Sequence, residues 1–303
     1  MSVYAVLGPT AAGKSELAEA IADRLGAEIL SVDSMQVFRG MDIGTAKPDL
    51  ATRDQFAYHL VDVADPSEEY TVAEFQAAGR VVLDAAAANG RDVVIAGGSG
   101  LHFRSLVDPL EFPPTDDEVR RNLEEIDVED LRMELLAADP DAAAVVDLAN
   151  PRRVLRAVEV VRLTDATPTQ RAGSAQAQRV RDYVSTRQFT AVGVDPGDRI
   201  AGRIEARFDR MMDAGFLAEV GTVAQSLGRT ARQAVGYRQL LDVIERGRSL
   251  ESAREEAIRA TGSLAKRQRT YFRRDPRISW IPWHYETERM LEGALESLAE
   301  ESP

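Results

Sequence analysis

The chain has 303 residues, a formal net charge of −13, three histidines and no cysteine. The length accommodates an α/β core plus an inserted segment, and the lack of cysteine excludes disulfides, thiolate metal sites and a cysteine nucleophile. His59, His102 and His284 have no metal-ligand spacing, so Mg²⁺ held by oxygen and phosphate is the expected metal. The acidity argues against indiscriminate nucleic-acid binding and requires any polynucleotide to meet a locally basic face. No signal-like leader and no apolar run of spanning length is found, which predicts a cytoplasmic protein without membrane contact.

Residues 3–7 form an apolar strand, and Gly8-Pro9-Thr10-Ala11-Ala12-Gly13-Lys14-Ser15 follows it as a complete G-x-x-x-x-G-K-[ST] phosphate loop. The loop opens a helix over 14–25, whose Leu17, Ala18, Ile21 and Leu25 share one face. Strand, loop and helix in that order are the context this motif requires. Its glycines let main-chain N–H groups turn toward phosphate oxygens at the positive end of the helix. Lys14 adds a point charge, and Ser15 offers a hydroxyl to Mg²⁺. A second strand over 28–32 ends at Asp33-Ser34, and a polar, glycine-rich loop covers 35–48. Thr71 and Glu74 form a capping box, with the helix continuing over 75–88. A third strand over 92–96 ends in Gly97-Gly98-Ser99-Gly100.

This alternation predicts an α/β fold, a P-loop NTPase-like parallel sheet flanked by helices. Ligands in such sheets lie beyond the carboxyl ends of the strands, where the phosphate loop, Asp33 and Ser99 all fall. The character changes at Pro113-Pro114. Residues 113–187 read as an inserted helical domain with breaks near Pro140, Pro151 and Pro168, leaving 1–112 and 188–303 as the core. Strand signal returns over 189–194. Helices follow over 199–214, 216–226, 233–246 and 250–274, and a peripheral acidic helix over 286–301.

Asp33 is placed as a general base or Mg²⁺ partner, or as a turn cap. Ser99 could bring a hydroxyl to a ligand, or simply belong to a tight turn. Arg207 suits bidentate phosphate contact, or pairs with neighbours such as Glu205 and Asp209 on a wet helix. Arg152, Arg153 and Arg156 open a helix. Lys266, Arg269 and Arg273 share a face of the long C-terminal helix, opposite the stripe of Ala257, Ile258, Thr261, Leu264 and Ala265. These basic faces are either solvated or contacts to a polynucleotide backbone.

Several stretches together resemble the tRNA dimethylallyltransferases, also called tRNA isopentenyltransferases. They are the phosphate loop; the run 31–48, with Asp33-Ser34-Met35-Gln36 near its head and Gly44-Thr45-Ala46-Lys47-Pro48 at its end; His59-Leu60-Val61-Asp62; Gly97-Gly98-Ser99-Gly100-Leu101; Asn150-Pro151-Arg152-Arg153; Ala234-Val235-Gly236-Tyr237-Arg238-Gln239; and Ala265-Lys266-Arg267-Gln268. The run through Pro48 is the specific part; the phosphate loop alone is not. The resemblance implies transfer of a dimethylallyl group from dimethylallyl diphosphate to N6 of adenosine 37 in tRNAs reading codons that begin with U. It implies that the phosphate loop, from Gly8 to Ser15, holds the diphosphate of the prenyl donor with Arg207 and Mg²⁺, and that Asp33 is the base that accepts the amine proton. Ser99 matches a catalytic position that is often threonine in the family. Asp33, Ser34, Met35, Gln36, Arg120, Arg152, Arg153 and Arg156 match segments that touch the tRNA anticodon stem-loop, and Lys266 and Arg269 would extend that basic surface. The resemblance further implies that the helical insertion closes over the anticodon loop. A monomer is expected, with its positive charge gathered on one face.

Without the resemblance, a P-loop small-molecule kinase fits the fold and loop as well. An adenylate isopentenyltransferase would share the catalytic residues but need less of the basic helices. A non-catalytic RNA-binding module fits poorly with Asp33 and Ser99 converging on an intact phosphate loop. ATP consumption, AMP prenylation and RNA binding without turnover are the respective discriminating observations.

Overall fold

The computed structural model describes residues 1–300 of the chain. It divides into two compact units. One is Met1–Val107 with the chain from Arg187 onward, and the other is Asp108–Thr186.

The larger unit is a six-stranded parallel sheet. Its strands are β1 (Val3–Leu7), β2 (Glu28–Val32), β3 (Tyr58–His59), β4 (Val93–Gly97), β5 (Thr190–Gly193) and β6 (Ile278–Trp280), in the order β3-β2-β4-β1-β5-β6. Central strands in such a sheet are covered on both faces and read as continuous apolar runs. Here Val3, Ala5, Leu7, Leu30, Val32, Val93, Ile95 and Ala191 enter one core, while Val6, Ile29, Val94, Ala96 and Val192 enter the other. That split is the two-residue alternation of a strand. The first core is completed by helices α3 (Val72–Ala88), α4 (Gly100–Val107), α10 (Ile200–Asp213), α11 (Phe216–Val223), α12 (Tyr237–Arg246) and α13 (Leu250–Phe272). On the opposite face lie α1 (Lys14–Leu25) and α14 (Thr287–Glu300), the latter through Met290, Ala294 and Leu298. Helix α2 (Leu50–Phe56) leads into β3.

The strand expected over 92–96 is therefore β4, one residue later, and is the fourth in the chain. A two-residue strand, β3, precedes it and pairs with Ile29 and Leu30. Neither β3 nor β6 is long enough to show an alternating pattern. The helix expected from 233 begins at Tyr237, after a 3₁₀ turn over Ala231–Gln233, and that expected to reach 274 ends at Phe272. The last position of the expected helix over 286–301 lies outside the described residues. The capping box of Thr71 and Glu74 is present and starts α3 at Val72.

The smaller unit contains α5 (Asp117–Glu124), α6 (Val128–Ala138), α7 (Pro151–Thr164), α8 (Pro168–Ala172) and α9 (Ala175–Arg181). Leu123, Leu131, Leu135, Ala142, Val154 and Val158 form its core. Pro151 and Pro168 begin helices, each behind a capping side chain, Asn150 and Thr167. A proline at the first helical position loses no hydrogen bond and has its φ already set. No helix among the described residues is long and apolar enough to cross a membrane.

The polar loop after β2 is held as one piece. Glu219 on α11 accepts the main-chain N–H groups of Asp42, Ile43 and Gly44 at 3.0, 2.7 and 3.1 Å, and also the hydroxyl of the buried Tyr237. Lys47, with 1 % of its side chain exposed, donates to Phe38 O, Asp42 and Asp62. A Cβ on Gly44 would lie 2.1 Å from the Phe216 ring and 2.5 Å from that of Tyr237. Gly44→Ala must push two packed aromatic rings apart. We expect a loss of about 1–3 kcal/mol, read as a lowered unfolding midpoint without loss of the helical signal.

Candidate active site

The carboxyl ends of β1, β2 and β4 deliver the phosphate loop, Asp33 and Ser99 to one end of the sheet. Gly8 has φ 151°, and a Cβ there would lie 2.2 Å from Val194 O, so only glycine lets the loop leave β1. Gly13 precedes α1 without any side-chain cap, which leaves the first-turn N–H groups available to an anion. Ala11 is in the left-handed region at φ 60°, a strained state for alanine. Neighbours pin it: Arg203 Nε donates to Ala11 O at 2.6 Å, and Trp283 Nε1 donates to Ala12 O at 2.9 Å. The Arg203 guanidinium lies 5.0 Å from the Trp283 ring centre. From α13, Gln268 accepts the Thr10 N–H at 2.8 Å, and its amide packs so closely on Gly98 that a Cβ there would meet it at 2.5 Å.

A cavity of about 810 Å³ opens over this loop, lined by Thr10, Ala11, Ala12, Gly13, Lys14 and Ser15 together with Asp33, Gln36 and Arg207. Gly8 and Pro9 shape the turn behind it; Pro9 O accepts the Lys14 ammonium at 2.6 Å. Desolvation, then the charge of Arg207, pulls Lys14 down to about 8, with Asp33 and Glu16 opposing. Burial likewise lowers Arg207, while Asp33 and Glu16 support its charge. Glu205 and Asp209, two positions either side of Arg207 on its helix, point away from it, and Arg254 holds both. Arg207 makes no hydrogen bond to protein among the described residues, as expected of a cation kept for a ligand.

A second cavity of about 390 Å³ adjoins the first and is more apolar, with Met35, Ile204, Phe208, Phe216, Val235 and Leu264 in its walls. Ser34 and Ser99 line it as well. Asp33 and Arg207 line both cavities, as do Thr10, Gly98 and Gln268. Asp33 Oδ1 accepts the N–H groups of Met35 at 2.8 Å and Gln36 at 3.3 Å, so the residue caps its turn and walls the cavities at once. Oδ2 has no protein donor among the described residues. Gln36 is buried, accepting from Ser31 Oγ and donating to Thr45 O and Ala46 O, a role in holding the loop. Ser99 Oγ lies 2.6 Å from His102 Nδ1. Burial takes this imidazole down to about 4, against the pull of Asp33.

The basic residues divide differently from the sequence expectation. Arg269 and Arg273, expected on an open stripe with Lys266, both close on Asp195, whose side chain is 5 % exposed. Burial works against that carboxylate, yet hydrogen bonds from Arg269, the Gly197 N–H and Arg273 hold it below its ordinary range. Lys266 alone of the three stays exposed without an ion pair. In the helical unit, Arg120 and Arg156 grip the fully buried Glu159 at 2.6 and 2.7 Å. A buried carboxylate needs such partners, so part of each guanidinium is spent on the fold of that unit. Arg152 and Arg153 are exposed, Arg153 only 3.7 Å from Asp147. His102, Gln268, Glu219 and Trp283 had no site role in the sequence reading; the one available signal was the placing of Gln268 inside a family-like run.

An anion bound beside Lys14 restores its proton. Inorganic diphosphate titrated calorimetrically at pH 8 in buffers of different ionisation enthalpy is therefore expected to bring more proton uptake in the unmodified protein than in Lys14→Met, since the proton release of the ligand itself is common to both. The difference should shrink at pH 6.5.

The IPP transferase family model matches residues 36–275. The tRNA dimethylallyltransferase of Streptomyces coelicolor is 42 % identical over 287 residues, covering 92 % of this chain and 89 % of its own. The crystal structure of full-length tRNA isopentenylpyrophosphate transferase from Bacillus halodurans aligns with TM-score 0.69 and 31 % identity, over 99 % of this chain and 97 % of that one. That of tRNA delta(2)-isopentenylpyrophosphate transferase from Staphylococcus epidermidis aligns with TM-score 0.72 and 28 % identity over the whole of both chains. The chain belongs to the IPP transferase family.

Proposed function

We propose that this chain transfers the dimethylallyl group of dimethylallyl diphosphate to N6 of adenosine 37 in tRNAs reading codons that begin with U, acting in the cytoplasm as a monomer. The observation that carries the reading is the pair Asp33 and Arg207, placed in the shared wall of a cationic cavity and an apolar one. The phosphate-loop cavity suits the diphosphate, and the apolar one suits the adenine and the prenyl chain. The names of the relatives supply the class of donor and acceptor.

The chemistry follows from charge. The allylic C–O bond breaks with its electron pair passing to diphosphate. Lys14, Arg207 and the open N–H groups of the phosphate loop are fixed where that negative charge grows. The adenine N6 amine is a weak nucleophile because its lone pair is delocalised. Asp33 Oδ2 is free to orient the amine and take its proton as the N6–C bond forms. The adenine must leave the anticodon stack to reach this site. Exposed Arg152 and Arg153, with Lys266, are offered to tRNA phosphates; Arg120, Arg156 and Arg269 can meet them only with the donors left by Glu159 and Asp195.

Mg²⁺ fits the donor set. Ser15 is exposed at the start of α1 and lines the same cavity as Asp33. No group of three or more ligating side chains gathers among the described residues, which suits a cation held largely by substrate phosphate and water. Bound there, Mg²⁺ would neutralise part of the charge on the leaving diphosphate.

The test is incubation with labelled dimethylallyl diphosphate, Mg²⁺ and an unmodified tRNA carrying A36-A37-A38, with AMP and ATP in parallel. Label is expected in tRNA only. Asp33→Asn should cut kcat by about 10²–10⁴-fold with tRNA affinity retained. Arg152→Ala should weaken tRNA binding and reduce its salt slope by about one. Label in AMP, or ATP turnover without transfer, would overturn the reading.

A further inference from the structure

We propose that His102 is a positioning residue that keeps the Ser99 hydroxyl proton available to the leaving diphosphate. The inference rests on the donor chemistry proposed above and concerns which atom carries the proton of one short contact.

Ser99 precedes α4, and His102 lies in its first turn. The helix brings the two side chains to the same end, and they stand 2.6 Å apart at Oγ and Nδ1. A contact of that length holds one proton, contributed by either group. If Ser99 contributes it, the Oγ lone pairs are what remain to face the ligand, and they repel an anion. If His102 contributes Nδ1–H, Ser99 keeps its own proton and becomes a donor. Ser99 lines the cavity whose wall includes Arg207. That cavity shares Thr10, Gly98 and Arg207 with the phosphate-loop cavity; on the donor placement proposed above, the oxygen joining diphosphate to the prenyl carbon lies at this common wall, and as it gains negative charge it selects the second arrangement.

The surroundings fix the imidazole for this task. His102 is 7 % exposed, and its ring stands at 82° to Phe75 with centres 4.5 Å apart. Packing thus sets its plane, and burial keeps it neutral with a single ring proton. The Asp33 charge acts on the same ring. During transfer the C–O electron pair goes to a diphosphate oxygen, the N6 lone pair forms the new N–C bond, and the N6 proton goes to Asp33. Ser99 donates only a hydrogen bond to the oxygen that gains charge, and His102, polarising that hydroxyl, neither gains nor loses a proton. Hydrogen bonds in such chains strengthen one another.

The experiment combines a mutant cycle with a spectroscopic reading. His102→Phe is expected to lower kcat about 10- to 100-fold, the worth of a hydrogen bond to a charged group, with KM for donor and tRNA within about twofold. His102→Asn, whose amide N–H stands near the place of Nδ1, should recover most of that loss. Ser99→Ala/His102→Phe should be no slower than Ser99→Ala. In the ¹⁵N-labelled protein with inorganic diphosphate, the His102 signal, identified among three histidines by its loss in His102→Phe, should show a protonated Nδ1. An unprotonated Nδ1 in that complex, or losses that add fully in the double variant, would overturn the proposal. Absence of transfer by the unmodified protein would instead remove the functional reading, while the ¹⁵N measurement still decides the tautomer.

Discussion

Two desolvated cations in one cavity are the constraint around which the core unit is organised. Lys14 and Arg207 line the same space, each half-buried and partly desolvated, and the charge of Arg207 depresses Lys14 further. Asp33 and Glu16 offset this only in part, since Lys14 still falls to about 8. A multiply charged anion relieves both burial and repulsion, so affinity for a diphosphate is the expected consequence of the arrangement. Holding the cations there without a ligand requires a stiff frame. The parallel sheet provides it by ending β1, β2 and β4 together, and Arg203, Trp283 and Gln268 fasten the strained loop from three separate stretches of the chain.

Residues that look chemical by their sequence often turn out to be architectural. The run through Gly44-Thr45-Ala46-Lys47-Pro48 carries the most telling part of the sequence resemblance, yet its polar groups are spent internally. Glu219 gathers three N–H groups, Lys47 three oxygens, and Gln36 spans Ser31 and the carbonyls of Thr45 and Ala46. This network fixes the chain on either side of Asp33 and so determines where its free oxygen stands. In the same way Glu159 organises Arg120 and Arg156, and Asp195 organises Arg269 and Arg273. What a basic helix face offers a polynucleotide is the remainder after such pairing.

The parts legible in the sequence were those whose meaning lies in adjacent residues. The phosphate loop, the Thr71 capping box and Asp33 at a strand end are local patterns, and all three are found in place. Strands β3 and β6, two and three residues long, lie below any detectable period. Contacts across long separations were not legible. Thr10 and Gln268 are 258 positions apart, and Arg269 and Asp195 are 74 apart. His102 escaped notice for another reason. Its distance from Ser99 is only three positions, but the bond depends on a rotamer fixed by Phe75, which belongs to another helix.

The central claim is a division of labour in which Lys14 and Arg207 hold the donor and Asp33 is reserved for the acceptor. Calorimetric titration of dimethylallyl diphosphate into Asp33→Asn and Arg207→Ala, in the absence of tRNA, tests it most directly. The account predicts that Asp33→Asn binds the donor at least as tightly as the unmodified protein, because a like charge has been removed, and that Arg207→Ala loses at least tenfold, about the 1.5–3 kcal/mol of a hydrogen bond to a charged group. Donor affinity lost in Asp33→Asn and kept in Arg207→Ala would contradict it.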